Sequence, residues 1–229
     1  MSYQPGPIEH SYLGSSVYAN LRQALITGQL KPNDRLRIRE LAAQVGTSVT
    51  PVRDAVLQLA NEQALEMRTP KDIRVPSLTH EQYLELKTLR IELEGLGAQR
   101  AAARITPAAV QLLTVNIRRN IRAITEEDWV AALRLNSEFH LLVAQSAMMP
   151  VLSSFVDRLW MRTGPLIAQA YAQLTQQMTI GHHQELLAAL RQHDGDAAAA
   201  AIRQDILDSH GILAQFTAAN RPSDDLPSA

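Results

Sequence analysis

The sequence contains no cysteine, which excludes disulfide bonds, thiolate metal sites and cysteine nucleophiles. Any metal in this protein must therefore be held by nitrogen and oxygen ligands. The chain also lacks an apolar run long enough to cross a membrane, and its N-terminus lacks the basic and apolar regions of an export signal. These absences predict a cytoplasmic protein that has no membrane partner.

The chain is also poor in aromatic residues and has no excess of charge of either sign. Aromatics make up only 4% of the 229 residues, whereas hydrophobic residues as a whole make up 46%, which favours a mainly α protein packed through aliphatic side chains. The net charge of −1 excludes the overall basicity of a non-specific nucleic-acid binder. Residues 1–76 nevertheless hold 9 basic against 7 acidic side chains, which indicates that the two parts of the chain are used differently.

The first part of the chain has the element order of a winged helix-turn-helix. Residues 1–14 are predicted to be a flexible arm, and a helix is predicted from Ser15 to Gly28. "IRELAAQVG" predicts a second, short helix, and "TSVTPVRDAVLQLANEQAL" predicts a third, with Thr50 as its N-cap. A β-hairpin turning at Pro70-Lys71-Asp72 is expected to follow. This order predicts a winged helix-turn-helix domain over residues 15–76.

In such a domain the third helix enters the major groove, so the side chains at its start must reach bases and phosphates. Arg53 lies one turn into this helix and is the candidate for a guanine or phosphate contact. Arg39 on the preceding helix and Lys71 at the hairpin tip would flank the groove. The alternative is that the arginines are ordinary surface charges, with Arg39 supporting the helix pair near Glu40 or Asp54.

The rest of the chain is predicted to form an antiparallel bundle of about six helices over residues 77–217. Short breaks separate the helical patterns, which lie near 79–103, 106–124, 127–146, 150–173, 176–193 and 195–217. The tail 218–229 is predicted to be disordered. We place the domain boundary near Pro76 and expect few contacts to cross it.

One helix of this bundle carries polar groups in an apolar setting. "LRLNSEFHLLVAQS" is mostly apolar at helical spacing, yet Asn136 and His140 lie one turn apart on one face. Both side chains are of a type that binds metals, although a histidine at such a position is also common as an ordinary hydrogen-bonded core residue.

The segment "VYANLRQALITGQLKPNDRLRIRELAAQVGTSVTPVRDAVLQLA" resembles the DNA-binding domain of GntR-type bacterial transcription regulators. The resemblance implies that DNA is contacted by five residues, which are Arg39, Ser48, Thr50, Arg53 and Lys71. Two positions depart from the family pattern. Val49 stands where the family often has arginine, so a guanine contact is lost there. Asp72 stands where a wing-tip glycine is common, and its charge would repel phosphate.

The second part resembles the all-α effector domain of the FadR-type branch of that family, and more narrowly its VanR-type subgroup. "LKTLRIELEGLGAQRAAARIT", "LNSEFHLLVAQSAMMPVL" and "HHQELLAALRQHDGDAAAAAIRQDI" carry the resemblance. It implies a divalent metal, Zn²⁺, Ni²⁺ or Mn²⁺, held by Asn136, His140, His183 and Asp205. Asp205 replaces a histidine of the usual set and restores the carboxylate that Asn136 removes. His210 is a weaker substitute, and His182 and His193 flank the set.

These resemblances predict a homodimeric, operator-binding regulator, more often a repressor than an activator, whose helical domain senses a small effector that carries a carboxylate. Arg90 is the predicted carboxylate contact, or else it pairs with Glu94 at i+4. The alternative function is a metal-dependent hydrolase or lyase that uses His140, His183 and Asp205. Glu138 and Glu185 are its candidate general bases, but no H-E-x-x-H spacing occurs. A helical adaptor that uses the winged domain for protein contacts is a third option.

Overall fold

The computed structural model of the chain describes residues 12–177 and 181–218. Its N-terminal part contains three helices and a small sheet, which are α1 (Tyr12–Ile26), β1 (Arg35–Leu36), α2 (Ile38–Gln44), α3 (Val49–Asn61), β2 (Glu66–Thr69) and β3 (Asp72–Arg74). The antiparallel sheet has the strand order β1-β3-β2. The predicted hairpin is therefore present, and β1 adds a third strand that the sequence analysis did not predict.

The start of α3 differs from the prediction. The helix begins at Val49, after Ser48 with φ −75° and ψ 166°, so Ser48 and not Thr50 occupies the N-cap position. Pro51 then lies in the first turn, where its missing N–H is not needed by the helix. Most apolar side chains of α3 face the domain core, although Leu57 does not, and Thr50 and Arg53 are exposed.

The remaining chain is a helical bundle, as predicted. Its helices are α4 (His80–Ala102), α5 (Pro107–Thr125), α6 (Trp129–Ser146), α7 (Pro150–Gln177), α8 (Gly181–Arg191), α9 (Gly195–Asp208) and α10 (His210–Ala218). The last predicted helix is thus two helices separated at Ser209. A capping box formed by Thr79 and Gln82 fixes the start of α4, and α4 packs against α6, α7 and α9.

Two predicted segments lie largely outside the described residues. The expected arm 1–14 overlaps the start of α1, since residues 12–14 are helical, and its other residues are not described. Of the expected tail 218–229, only Ala218 is described, as the end of α10. None of the described helices combines the length and apolarity needed to cross a bilayer.

The expectation that few contacts cross Pro76 is wrong, because α1 packs along α7. Met161 of α7 is buried within the hydrophobic core of the winged domain. Arg22 of α1 forms a bidentate ion pair with Asp157 of α7, with Nε 3.0 Å from Oδ2. The two helices approach closely at Gly164, where an added Cβ would lie 2.8 Å from the Cα of Ile26.

This close approach predicts the effect of alanine at Gly164. Alanine normally favours a helix over glycine by about 1 kcal/mol, but here the new Cβ collides with the backbone of α1. We expect Gly164→Ala to lower the free energy of unfolding by about 1–3 kcal/mol, measured by urea denaturation. Gly211→Ala is the matched control, because no atom lies within 4 Å of its added Cβ. Equal stability of the two variants would contradict the packing of α1 on α7.

Candidate functional site

Helices α2 and α3 present unpaired basic side chains to solvent. Arg39 and Arg53 are exposed, and neither forms an ion pair with another described residue. Glu40 instead pairs with Arg37, at 2.8 Å between Nη1 and Oε1, so the alternative role of Arg39 as a partner of Glu40 is not what the structure shows. Ser48 and Thr50 are exposed beside them. This arrangement leaves both guanidinium groups available to an anionic partner.

The wing carries its own basic group. Lys71 is exposed at the turn between β2 and β3. Asp72, which was predicted to repel phosphate, is paired with Arg74 at 2.9 Å and lies 3.4 Å from Arg35. Its negative charge is therefore offset within the wing. Arg35 was missed by the sequence analysis because β1 is too short to give a strand pattern.

The helical domain brings together His140 of α6, His183 of α8 and Asp205 of α9. Their nearest ligand-type atoms all lie within 4.8 Å of one another. The His140 Nε2 atom is 3.3 Å from Asp205 Oδ2, and the His183 Nε2 atom is 3.6 Å from Asp205 Oδ1. Three of the four predicted metal ligands therefore meet at one point, although they come from three helices.

Both imidazoles are almost completely buried and incompletely hydrogen-bonded. His140 Nε2 and both ring nitrogens of His183 have no hydrogen-bond partner in the described part of the chain, a costly arrangement for buried polar atoms. Burial lowers the pKa of His183 to about 4, so this ring is neutral near pH 7 and can donate a lone pair. These unpartnered nitrogens beside a carboxylate fit a divalent metal with nitrogen and oxygen ligands.

A second carboxylate orients His140 from behind. Glu94 of α4 accepts a hydrogen bond from His140 Nδ1 at 2.6 Å and another from Arg90 Nε at 2.6 Å. Burial alone would lower the pKa of His140, but the Glu94 and Asp205 carboxylates raise it to about 9. In the absence of a metal, His140 is therefore protonated near pH 7, with Nδ1 toward Glu94 and Nε2 toward Asp205. A carboxylate behind a histidine is the usual support of a metal-bound imidazole.

Arg90 was predicted either to contact an effector or to pair with Glu94, and the structure shows the pair. Its guanidinium carbon also lies 4.3 Å from the ring centroid of Trp160, which is a cation–π contact. Arg90 borders a small pocket together with Tyr83 and Lys87. An effector contact by Arg90 therefore remains a prediction.

The other predicted donors have different environments. Asn136 is half-buried on α6, one turn before His140, and its place as a fourth ligand stays a prediction. The structure places three histidines elsewhere. His210 stacks on Tyr83 with its Nδ1 3.2 Å from the hydroxyl, His193 Nδ1 contacts the carbonyl of Ala102, and His182 pairs with Glu185 and Asp208.

The candidate general bases of an enzyme do not meet the cluster. Glu138 pairs with Arg134 along the outside of α6, and Glu185 pairs with His182. A hydrolase needs a base within hydrogen-bonding reach of a bound water. Neither glutamate occupies such a position beside His140, His183 and Asp205.

Comparison with protein families gives two adjacent matches. Residues 13–75 match the model described as "Bacterial regulatory proteins, gntR family", and residues 85–208 match the FCD domain. The chain is 30% identical over 215 residues to the HTH-type transcriptional regulator McbR of Escherichia coli K12. This alignment covers 92% of this chain and 96% of McbR. It is 23% identical over 193 residues to the HTH-type transcriptional repressor RspR of the same strain, covering 84% of this chain and 85% of RspR.

Solved structures show the same architecture. The E. coli McbR structure superposes with a TM-score of 0.83 at 29% identity, covering 90% of this chain and 99% of that one. A putative transcriptional regulator from Rhodococcus sp. RHA1 gives a TM-score of 0.74 at 20% identity, covering 92% and 100%. At 20% identity, the similarity to the Rhodococcus structure shows the fold alone.

The cluster predicts a loss of metal when a ligand is removed. After reconstitution with Zn²⁺, Ni²⁺ or Mn²⁺, His183→Ala should retain less than about a tenth of the wild-type metal content. Its melting temperature should no longer fall on treatment with a chelator. His182→Ala is the matched control, since this neighbouring histidine pairs with Glu185 and Asp208 outside the cluster. Elemental analysis and thermal unfolding measure both effects, and equal metal content in the two variants would refute the site.

Proposed function

The chain belongs to the GntR family of bacterial transcriptional regulators and carries an FCD domain, and on that premise we propose that it is a metal-containing, effector-controlled operator-binding protein of the cytoplasm. The observation that carries this proposal is the coexistence of two sites in one chain. An exposed basic surface on the winged domain faces solvent, and a buried His/His/Asp cluster lies in the helical domain. Its named relatives are regulators and not enzymes, so the hydrolase alternative has no support from them.

The proposed DNA surface consists of Arg39, Ser48, Thr50, Arg53 and Lys71. We propose that Arg53 and Thr50, exposed on α3, enter the major groove and that Arg39 contacts the adjacent backbone. Lys71 at the wing turn would contact phosphate. The pairing of Asp72 with Arg35 and Arg74 supports this role, because it removes the expected repulsion from the wing.

The proposed metal set is His140, His183 and Asp205, with Asn136 as a fourth ligand. In the metal-free protein the pKa of His140, about 9, leaves its ring protonated near pH 7, so the imidazolium and the Arg90 guanidinium together offset the Glu94 and Asp205 carboxylates. A divalent cation would take the place of the proton on His140 Nε2 and leave coordination positions for the carboxylate of an effector. Arg90, which pairs with Glu94 behind His140, is the proposed second contact to an acidic molecule.

Helix α7 supplies the proposed connection between effector and operator. Trp160 contacts both Arg90 and His140, with its ring centroid 5.0 Å from that of His140. The next residue, Met161, is buried in the core of the winged domain, and Asp157 binds Arg22 of α1. A ligand that shifts α7 would therefore move the recognition helix. If the protein is a repressor, this movement would lower its affinity for the operator.

We propose that the homodimer forms through an apolar surface on the outside of α4 and α7. Leu89 is 42% exposed on α4, and Val151 and Phe155 are 68% and 51% exposed on α7. Exposed glutamates on α4 and the exposed Arg158 on α7 give this side of the bundle charges of both signs, which can pair across a self-complementary two-fold interface. Two recognition helices related by such an axis can read the two halves of a symmetric operator.

The DNA-binding assignment predicts that Arg53→Ala loses specific binding without losing the fold. We expect a loss of about 1–3 kcal/mol for each half-site, because an exposed guanidinium contributes to DNA contact and little to folding. Fluorescence anisotropy with the intergenic DNA upstream of the protein's own gene, at fixed salt, measures the change. Arg118→Ala is the control, since Arg118 is an exposed arginine of α5. If both variants bind like the wild type, α3 is not the recognition helix.

The dimer assignment predicts that Phe155→Glu is monomeric. A buried, unpaired carboxylate at the centre of the interface on each subunit opposes association, and sedimentation velocity at micromolar concentration detects the change. Leu112→Glu is the matched control, because Leu112 is similarly exposed on α5, at 57%. A monomeric Leu112→Glu protein beside a dimeric Phe155→Glu protein would move the interface to α5.

A further inference from the structure

One large apolar side chain of α3 takes no part in the core of the winged domain. Leu57 is 41% exposed, whereas Val52, Val56 and Leu59 on the same helix are completely buried. These three residues belong to the hydrophobic core of the winged domain, and Leu57 does not. The fold therefore gains little stability from an apolar side chain at position 57.

The place of Leu57 on the helix points to a contact with DNA. At about 100° per residue, Thr50, Arg53, Asp54 and Leu57 lie on one side of α3, and all four are exposed. Viewed down the helix axis, Leu57 lies between Arg53 and Asp54, within the face that carries the proposed DNA contacts. The spacing i, i+3, i+4, i+7 is also that of the base-reading positions on the recognition helix of homeodomains.

The charge of Asp54 indicates which part of the DNA this face meets. A carboxylate beside the phosphates would be repelled by them. In the major groove, by contrast, it can accept a hydrogen bond from the amino group of cytosine. The face that holds Asp54 and Leu57 therefore suits the base edges rather than the sugar-phosphate backbone.

A leucine can recognise only one feature of these base edges. Its side chain forms no hydrogen bonds, and the apolar group that the bases present in the major groove is the C5-methyl group of thymine. Contact between the two removes apolar surface from water. The burial of one methyl group corresponds to about a fourfold gain in affinity.

We propose that Leu57 is a specificity-determining residue that recognises a thymine of each operator half-site through its C5-methyl group. The thymine lies within about three base pairs of the position read by Arg53, because four helical residues advance about 6 Å and one base pair about 3.4 Å. This inference rests on the proposed function, since it assumes that α3 enters the major groove.

The test compares two duplexes that differ only in thymine methyl groups. The wild-type, full-length protein selects a duplex from random sequence, and this duplex is synthesised with either thymine or uracil at every thymine position. Fluorescence anisotropy at fixed salt measures both affinities. With one methyl contact in each of two half-sites, the wild type should bind the thymine duplex at least about fifteenfold more tightly than the uracil duplex.

Leu57→Ala should lower this affinity ratio about fifteenfold, because it removes the side chain that contacts the methyl group. Alanine is a better helix former than leucine and position 57 is exposed, so the melting temperature should stay within about 3 °C of the wild type. Leu57→Met should keep the ratio, since methionine is apolar and similar in volume.

Arg53→Ala is the matched control on the same face of α3. It should weaken binding to both duplexes and leave their affinity ratio unchanged, because contacts of a guanidinium group do not involve the thymine methyl. Uracil placed at one thymine at a time then locates the contact relative to the base pair whose substitution Arg53→Ala tolerates.

The outcomes separate this inference from the proposed function. If the wild type does not distinguish the two duplexes, or if Leu57→Ala lowers the ratio less than about threefold, Leu57 does not recognise thymine, although α3 can still be the recognition helix. If Arg53→Ala and Leu57→Ala both bind like the wild type, the proposed DNA surface is wrong and the inference fails with it. Failure of the wild type to select any duplex would overturn both.

Discussion

The structure depends on one buried electrostatic constraint, which is the line of charges from Arg90 through Glu94 and His140 to Asp205. Each of these side chains is held at short distance from the next, and three of them are almost inaccessible to water. Charges removed from water are stable only when each is offset by a partner. Because the partners come from α4, α6 and α9, the network fixes how these helices cross.

This constraint also explains why the two domains are not independent bodies. Trp160 covers the Arg90 guanidinium and contacts His140, while Met161, the next residue of the same helix, completes the core of the winged domain. Successive residues of a helix point about 100° apart, so one helix can line both cores. Helix α7 therefore packs against both the charged network and the core of the winged domain.

The polar groups of the bundle fall into two kinds. The line from Arg90 to Asp205 is charged and largely paired, whereas Asn116 and Asn120 are neutral and incompletely paired. A charged group without a partner would cost far more than a neutral one, which is why the charged side chains of the bundle are the ones that are paired.

The sequence by itself determined the features that depend on local spacing. The helical period predicted the three helices of the winged domain, the helical bundle, and the i, i+4 relations of Arg90 with Glu94 and of Asn136 with His140. Alternating apolar positions around the turn residues Pro70-Lys71-Asp72 predicted the hairpin. The family resemblance added His183 and Asp205, which the structure places beside His140. Only the tertiary structure decided that Glu94 binds His140 and that β1 brings Arg35 to the wing. It also decided that Met161 belongs to the core of the winged domain and that Asn120 lies near Tyr171. The physical reason is that helical periodicity fixes which side chains share a face, whereas contacts between residues distant in sequence depend on how helices cross, and the packing of many side chains sets those crossings.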